Sequence, residues 1–200
     1  MPSTGATLPG SGTDTGTNWT SPGNITSDDN NVAELDGGSG ESSHLRASQF
    51  GLSISASSID GITVTFGAKY IGLVAETLIA QIRNGAGSLV GSQKTANVNA
   101  TSETTYTLGG AADVWGTSLS QTDINDADFG VELWANNGPS ATYYAVAVDW
   151  VKIDITYTSS SVTGTRSYFN WFYGGMGAAG GVTPSTKPWY FRKYVIGRRG

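Results

Sequence analysis

Two hundred residues with 28 glycines, no cysteine and only 14% charged side chains leave room for one β-rich domain with extensions. They exclude a disulfide-stapled scaffold and a thiolate metal centre. The net charge of −5 is unevenly spread. Residues 159–200 hold six of the 11 basic residues and none of the 16 acids, so an acidic body carries a basic segment, and that segment calls for an acidic partner.

No apolar run approaches the roughly 18 residues that a spanning helix needs. The first 19 residues lack both the basic and the apolar region of a secretory signal. Synthesis in the cytoplasm and no membrane partner are the expectations. Residues 1–31 are rich in Gly, Ser, Thr, Asn and Pro and read as an extended N-terminal arm. Val32–Leu35 reads as a short first strand.

The domain, residues 32–158, then declares itself by alternation. Phe50, Leu52 and Ile54 alternate with small residues, Ile59-Asp60-Gly61 reads as a turn, and Ile62, Val64, Phe66, Ala68 and Tyr70 alternate strictly. These runs predict two paired antiparallel strands. Glu76–Arg83 and the stretch SLVGSQKTANVNA flank Asn84-Gly85, a hairpin signal, and Glu103–Leu108 alternates again. Residues 111–128 form a long connection. Phe129–Trp134 and Tyr144–Tyr157 flank Asn136-Asn137-Gly138-Pro139 and read as a central hairpin. Its second run changes parity between Trp150 and Val151, which predicts a bulge where the strand passes from one packing layer to another. About eight strands at this spacing give an all-β fold, an antiparallel jelly-roll-like β-sandwich with extended N- and C-terminal arms.

The C-terminal arm, residues 159–200, is of a different texture. Nine of the 21 aromatic residues fall there. Tyr168, Phe169, Trp171, Phe172 and Tyr173 form one cluster, and Trp189, Tyr190, Phe191 and Tyr194 form a second, with GGMGAAGG between them. Arg192, Lys193, Arg198 and Arg199 accompany the second cluster. So many rings should be buried against a partner surface, and these thirteen residues are the candidate docking set. Nucleic acid is the weaker partner for them, because the body's charge would repel phosphates.

Candidate chemistry is sparse. His44 is the one histidine and reads as an exposed loop residue, so a catalytic triad has little to build on. Asp123, Asn125, Asp126 and Asp128 could offer oxygens to calcium, and Asp28-Asp29-Asn30 is a lesser candidate. Neither has EF-hand spacing, and Asp and Asn also build turns by themselves. The glycine-rich stretches lack the Lys-Ser/Thr of a phosphate loop. No cofactor is expected, and no carboxylate pair suggests glycoside hydrolysis.

Several segments together resemble a domain recurrent in tailed-phage virion structural proteins. They are Phe50-Gly51, Ile59-Asp60-Gly61-Ile62, Trp115-Gly116, Asn125 to Val131 and Val148 to Thr158, with the opening stretch NWTSPGNITSDDNNVAEL. The resemblance implies a non-enzymatic β-sandwich of the virion, with no catalytic residue to carry over. The expected role is capsid decoration (a cement protein) docking through its arms onto the major capsid protein or a tail component, as a homo-oligomer. The alternative is a receptor- or carbohydrate-binding module of a tail fibre or baseplate. There, exposed Trp134 or Tyr143 would stack on a host glycan.

Overall fold

Ten strands form two five-stranded antiparallel sheets in the computed structural model, which describes residues 1–36, 40–72, 75–136 and 145–160. The strands are β1 (Ser11–Asp14), β2 (Trp19–Thr20), β3 (Ala33–Asp36), β4 (Leu45–Ser48), β5 (Ala56–Tyr70), β6 (Glu76–Arg83), β7 (Leu89–Val98), β8 (Thr104–Gly110), β9 (Gly130–Ala135) and β10 (Ala145–Ser159). One sheet has the order β1-β4-β9-β6-β7, the other β2-β3-β10-β5-β8. The pairs β3–β10, β4–β9, β5–β8 and β6–β7 nest from the outside of the chain inward. That nesting is the jelly roll.

The core lies between the sheets and is built from alternate residues of each strand. Ile62, Val64 and Phe66 of β5, Leu78 and Ile82 of β6, Val131 and Leu133 of β9, and Val151, Ile153 and Ile155 of β10 are all buried. The short helix α1 (Gln121–Asn125) closes one end. Its Ser120–Asp123 capping box satisfies the first turn, and Ile124 plugs into the core.

The expected central hairpin does not form. β9 lies in one sheet between β4 and β6, whereas β10 lies in the other between β3 and β5. Alternation specifies which face of a strand is buried but not its neighbour, and here the connection crosses from one layer to the other. The bulge is present in β10, between Val148 and Trp150, yet the strand stays in one sheet. Val148 and Val151 both face the core, and the extra residue is absorbed by Asp149 and Trp150.

Ile59-Asp60-Gly61 is likewise no turn. It is the interior of a single 15-residue strand, and Gly61 is there because a Cβ would collide with the backbone of Gly110 and Ala111. Residues 50–54 form no strand, although Phe50 and Ile54 are buried. Asn125 holds this irregular stretch, accepting from Ile54 N at 2.9 Å and donating to Ile54 O at 3.0 Å.

Residues 1–31 are extended at the start, but they are not a free arm. Residues 2–7 lie along the edge of β10 beyond β3, with Thr4 N to Ile155 O at 3.0 Å and Thr7 N to Ile153 O at 2.9 Å. β1 and β2 then extend one edge of each sheet, and a 3-10 turn at Pro22–Thr26 buries Ile25 completely. Trp19 and Ile25 are the anchors that make the polar segment part of the sandwich. At the other end, β10 runs to Ser159, and Ser160 N still bonds Ser55 O. The docking set Tyr168 to Arg199 lies outside the described residues.

Candidate functional site

The outer face of the β1-β4-β9-β6-β7 sheet carries the densest polar constellation among the described residues. Antiparallel register places Thr13, Arg46, Glu132 and Gln81 in one row across β1, β4, β9 and β6. Directly opposed residues share a face, so these side chains meet above the sheet. Glu132 sits at the centre and is only 4% exposed. Its Oε1 accepts from Arg46 Nε at 2.8 Å and lies 3.6 Å from Arg83 Nε. Its Oε2 is 2.8 Å from His44 Nδ1.

His44 is therefore not the exposed loop residue expected. Leu45 opposes Leu133, which brings His44 alongside Trp134. Their rings stack at 4.3 Å between centroids, 8° from parallel. Trp134 is itself buried, not an exposed platform, and one ring face is occupied by the imidazole. Tyr143 lies outside the described residues. The imidazole, with its side chain 18% accessible, and the half-buried Arg46 and Gln81 are what this face offers to a ligand.

The charges are mutually fixed. The bond to Glu132 raises the His44 pKa above its ordinary 6.5, against burial, and Glu41 beside Nε2 at 3.6 Å adds to the effect. Burial pushes Glu132 up, but the bonds from His44 and Arg46 outweigh it and hold the carboxylate below its ordinary 4.5. Near neutrality the site is thus a carboxylate clamped by two guanidinium groups and a readily protonated imidazole. Among the described residues no triad assembles around the histidine. Its ring nitrogens address Glu132 and Glu41, while Ser42 Oγ donates to Ser43 O and Ser43 Oγ accepts from Asn18 N.

The acids of residues 123–128 are structural. Asp123 caps α1, Asn125 ties down Ile54, Asp126 accepts from Asp128 N, and Asp128 stands 3.8 Å from Arg83. The lesser candidate fares differently: Asp28 comes together with Glu103 and Asp149 on the other sheet.

No protein-family model matches the chain, and no curated protein matches it in sequence. Solved structures similar to it include an exo-β-agarase, at 8% identity and a TM-score of 0.41 over 61% of this chain. The chain spans only 20% of that enzyme. A carbohydrate-binding module titled BiXyn10A CBM1 has 13% identity and a TM-score of 0.38 over 64% of this chain and 76% of its own. The enzymatically active domain of bacteriophage CBA120 tailspike protein 4 has 14% identity and a TM-score of 0.38, covering 75% of this chain and 19% of that one. Likeness at this level reaches no further than two-layered β architecture.

Proposed function

We propose that the chain is a non-catalytic recognition module that binds a polysaccharide on the outer face of the β1-β4-β9-β6-β7 sheet. The observation that carries this reading is the row Arg46–Glu132–Gln81 beside the His44–Trp134 stack. Planar guanidinium and amide groups such as those of Arg46 and Gln81 hydrogen-bond vicinal hydroxyls in pairs, and the buried Glu132 orients the guanidinium. Here they are locked before any ligand arrives, so little side-chain entropy is lost on binding. The motif resemblance supports a setting in a tailed-phage virion, where a glycan-binding module would belong to a tail fibre or baseplate.

Capsid decoration keeps one basis, the aromatic and basic residues 159–200. The N-terminal segment it also invoked is taken up by the sandwich. The deciding experiment is a glycan array and calorimetry on the full chain, with host-surface polysaccharides as probes. Binding should be present, and Arg46→Ala or Gln81→Ala should weaken it about 10-fold or more while the fold persists. No binding to any polysaccharide, or binding indifferent to both substitutions, would overturn the reading. Incorporation of the chain into capsids, lost on deleting residues 163–200, would then favour decoration.

A further inference from the structure

The bulge in β10 has an unusual occupant. Val148 pairs with Ala68 and Trp150 with Gly67, so Asp149 has no partner across the ladder. A bulge turns two successive residues to one side. With Val148 and Val151 both in the core, Asp149 and Trp150 lie on the outer face of the β2-β3-β10-β5-β8 sheet. Asp149 is 1% exposed, and neither of its carboxylate oxygens has a hydrogen-bond partner. A fold does not carry a buried, unpaired carboxylate without compensation.

Two further carboxylates converge on it. Asp28 arrives from the loop after the 3-10 turn, and Glu103 from the residue preceding β8. One oxygen from each of the three lies within 4.8 Å of the other two. Glu103 must cross β5 to get there, and it does so over Gly67. A Cβ at that position would collide with Trp150 Nε1 and come within 2.5 Å of Glu103 Oε1. Trp150 Nε1 donates to Glu103 Oε1 at 3.0 Å, and Lys152 Nζ lies 3.0 Å from Asp28 Oδ2 and 4.1 Å from the Trp150 ring centroid. Among the described residues, three carboxylates against one ammonium leave about two negative charges, which a divalent ion balances.

We propose that Asp28, Glu103 and Asp149 bind a calcium ion that locks the β10 bulge to the loop after the 3-10 turn and to the start of β8. Calcium–oxygen distances of about 2.4 Å allow two oxygens on one ion to be up to about 5 Å apart, which the cluster satisfies. An all-carboxylate set with no imidazole or thiolate selects a hard cation. Ligands from a loop and a bulge suit calcium's loose geometry better than magnesium's strict octahedron. The site is on the opposite sheet from the proposed glycan face and stands independently of it.

The test is thermal denaturation and calorimetry of the full chain, stripped with EDTA and titrated with calcium chloride or magnesium chloride near pH 7.5. Calcium at about a hundred times its Kd should raise Tm by roughly 5–10 °C. Asp149→Asn should lower affinity about 100-fold or more while leaving Tm in EDTA unchanged or higher, since it removes like-charge repulsion. Asp28→Asn, at an exposed position, gives the same readout should the buried variant not fold. The absence of a calcium-dependent rise would overturn the proposal, and a climb of Tm in EDTA from pH 7 to 5 that Asp149→Asn abolishes would then assign the pocket to a proton shared between Glu103 and Asp149. A magnesium response equal to calcium's would overturn the assignment to calcium.

Discussion

Replacing Glu132 by Gln tests whether the polar face is a single electrostatic unit. The substitution keeps the shape and removes the charge that neutralises Arg46, Arg83 and His44, two of which are themselves largely buried. Removing one partner of a buried pair typically costs about 3–5 kcal/mol. Arg46, with 31% of its side chain accessible, recovers some solvation, and the amide still accepts one bond. A loss of roughly 2–4 kcal/mol is therefore expected, or roughly 5–15 °C in Tm for a chain of this size.

The pH dependence is the sharper signature. The raised pKa of His44 contributes stability that is fully present below 6.5 and lost as pH rises through the folded value. The lowered pKa of Glu132 contributes stability present above 4.5 and lost as pH falls through its folded value. Both contributions coincide between pH 4.5 and 6.5. In Glu132→Gln the decline above pH 6.5 should shrink to what Glu41 alone sustains. Urea denaturation from pH 4 to 9 reads the stability, and the one histidine gives a single imidazole titration by NMR. A cost below about 0.5 kcal/mol, in the range of exposed pairs, or a histidine titrating as in the wild type, would refute the coupling.

Two other perturbations probe the frame that holds the sites. Deleting residues 2–9 removes the bonds from Thr4 and Thr7 to Ile155 and Ile153 and from Tyr157 to Pro2. It should cost roughly 2–5 kcal/mol and provoke concentration-dependent self-association through the bared β10 edge; an unchanged urea midpoint in a monomer would show that the segment is an arm after all. Trp115→Phe removes the donor to Ile62 O at 2.9 Å inside a fully buried site. A loss of about 2–4 kcal/mol is expected by urea denaturation, and a change within error would show that the bond is dispensable.

Sequence by itself determined the long strands of the body and the face each one buries, because a period of two in Ile62 to Ala68 or Val151 to Ile155 leaves one way to put the apolar side chains inside. But it placed a strand at residues 50–54 where none forms and missed β4. It also betrayed the β10 bulge, since a parity break requires an extra residue somewhere. It could not determine strand partners, for β9 and β10 alternate equally well as neighbours or in opposite layers. Trp19 and Ile25 were too isolated to announce that a polar segment belongs to the sheets. The sites were decided only by the tertiary structure. Glu132 and Trp134 sit on the polar face of β9 and read as exposed, but cross-strand register sets Arg46, Arg83 and His44 over them. Asp28, Glu103 and Asp149 share no local spacing. They meet because Gly67 leaves a gap across β5 and the bulge turns Asp149 out of the ladder, and that convergence exists only once the strands are paired.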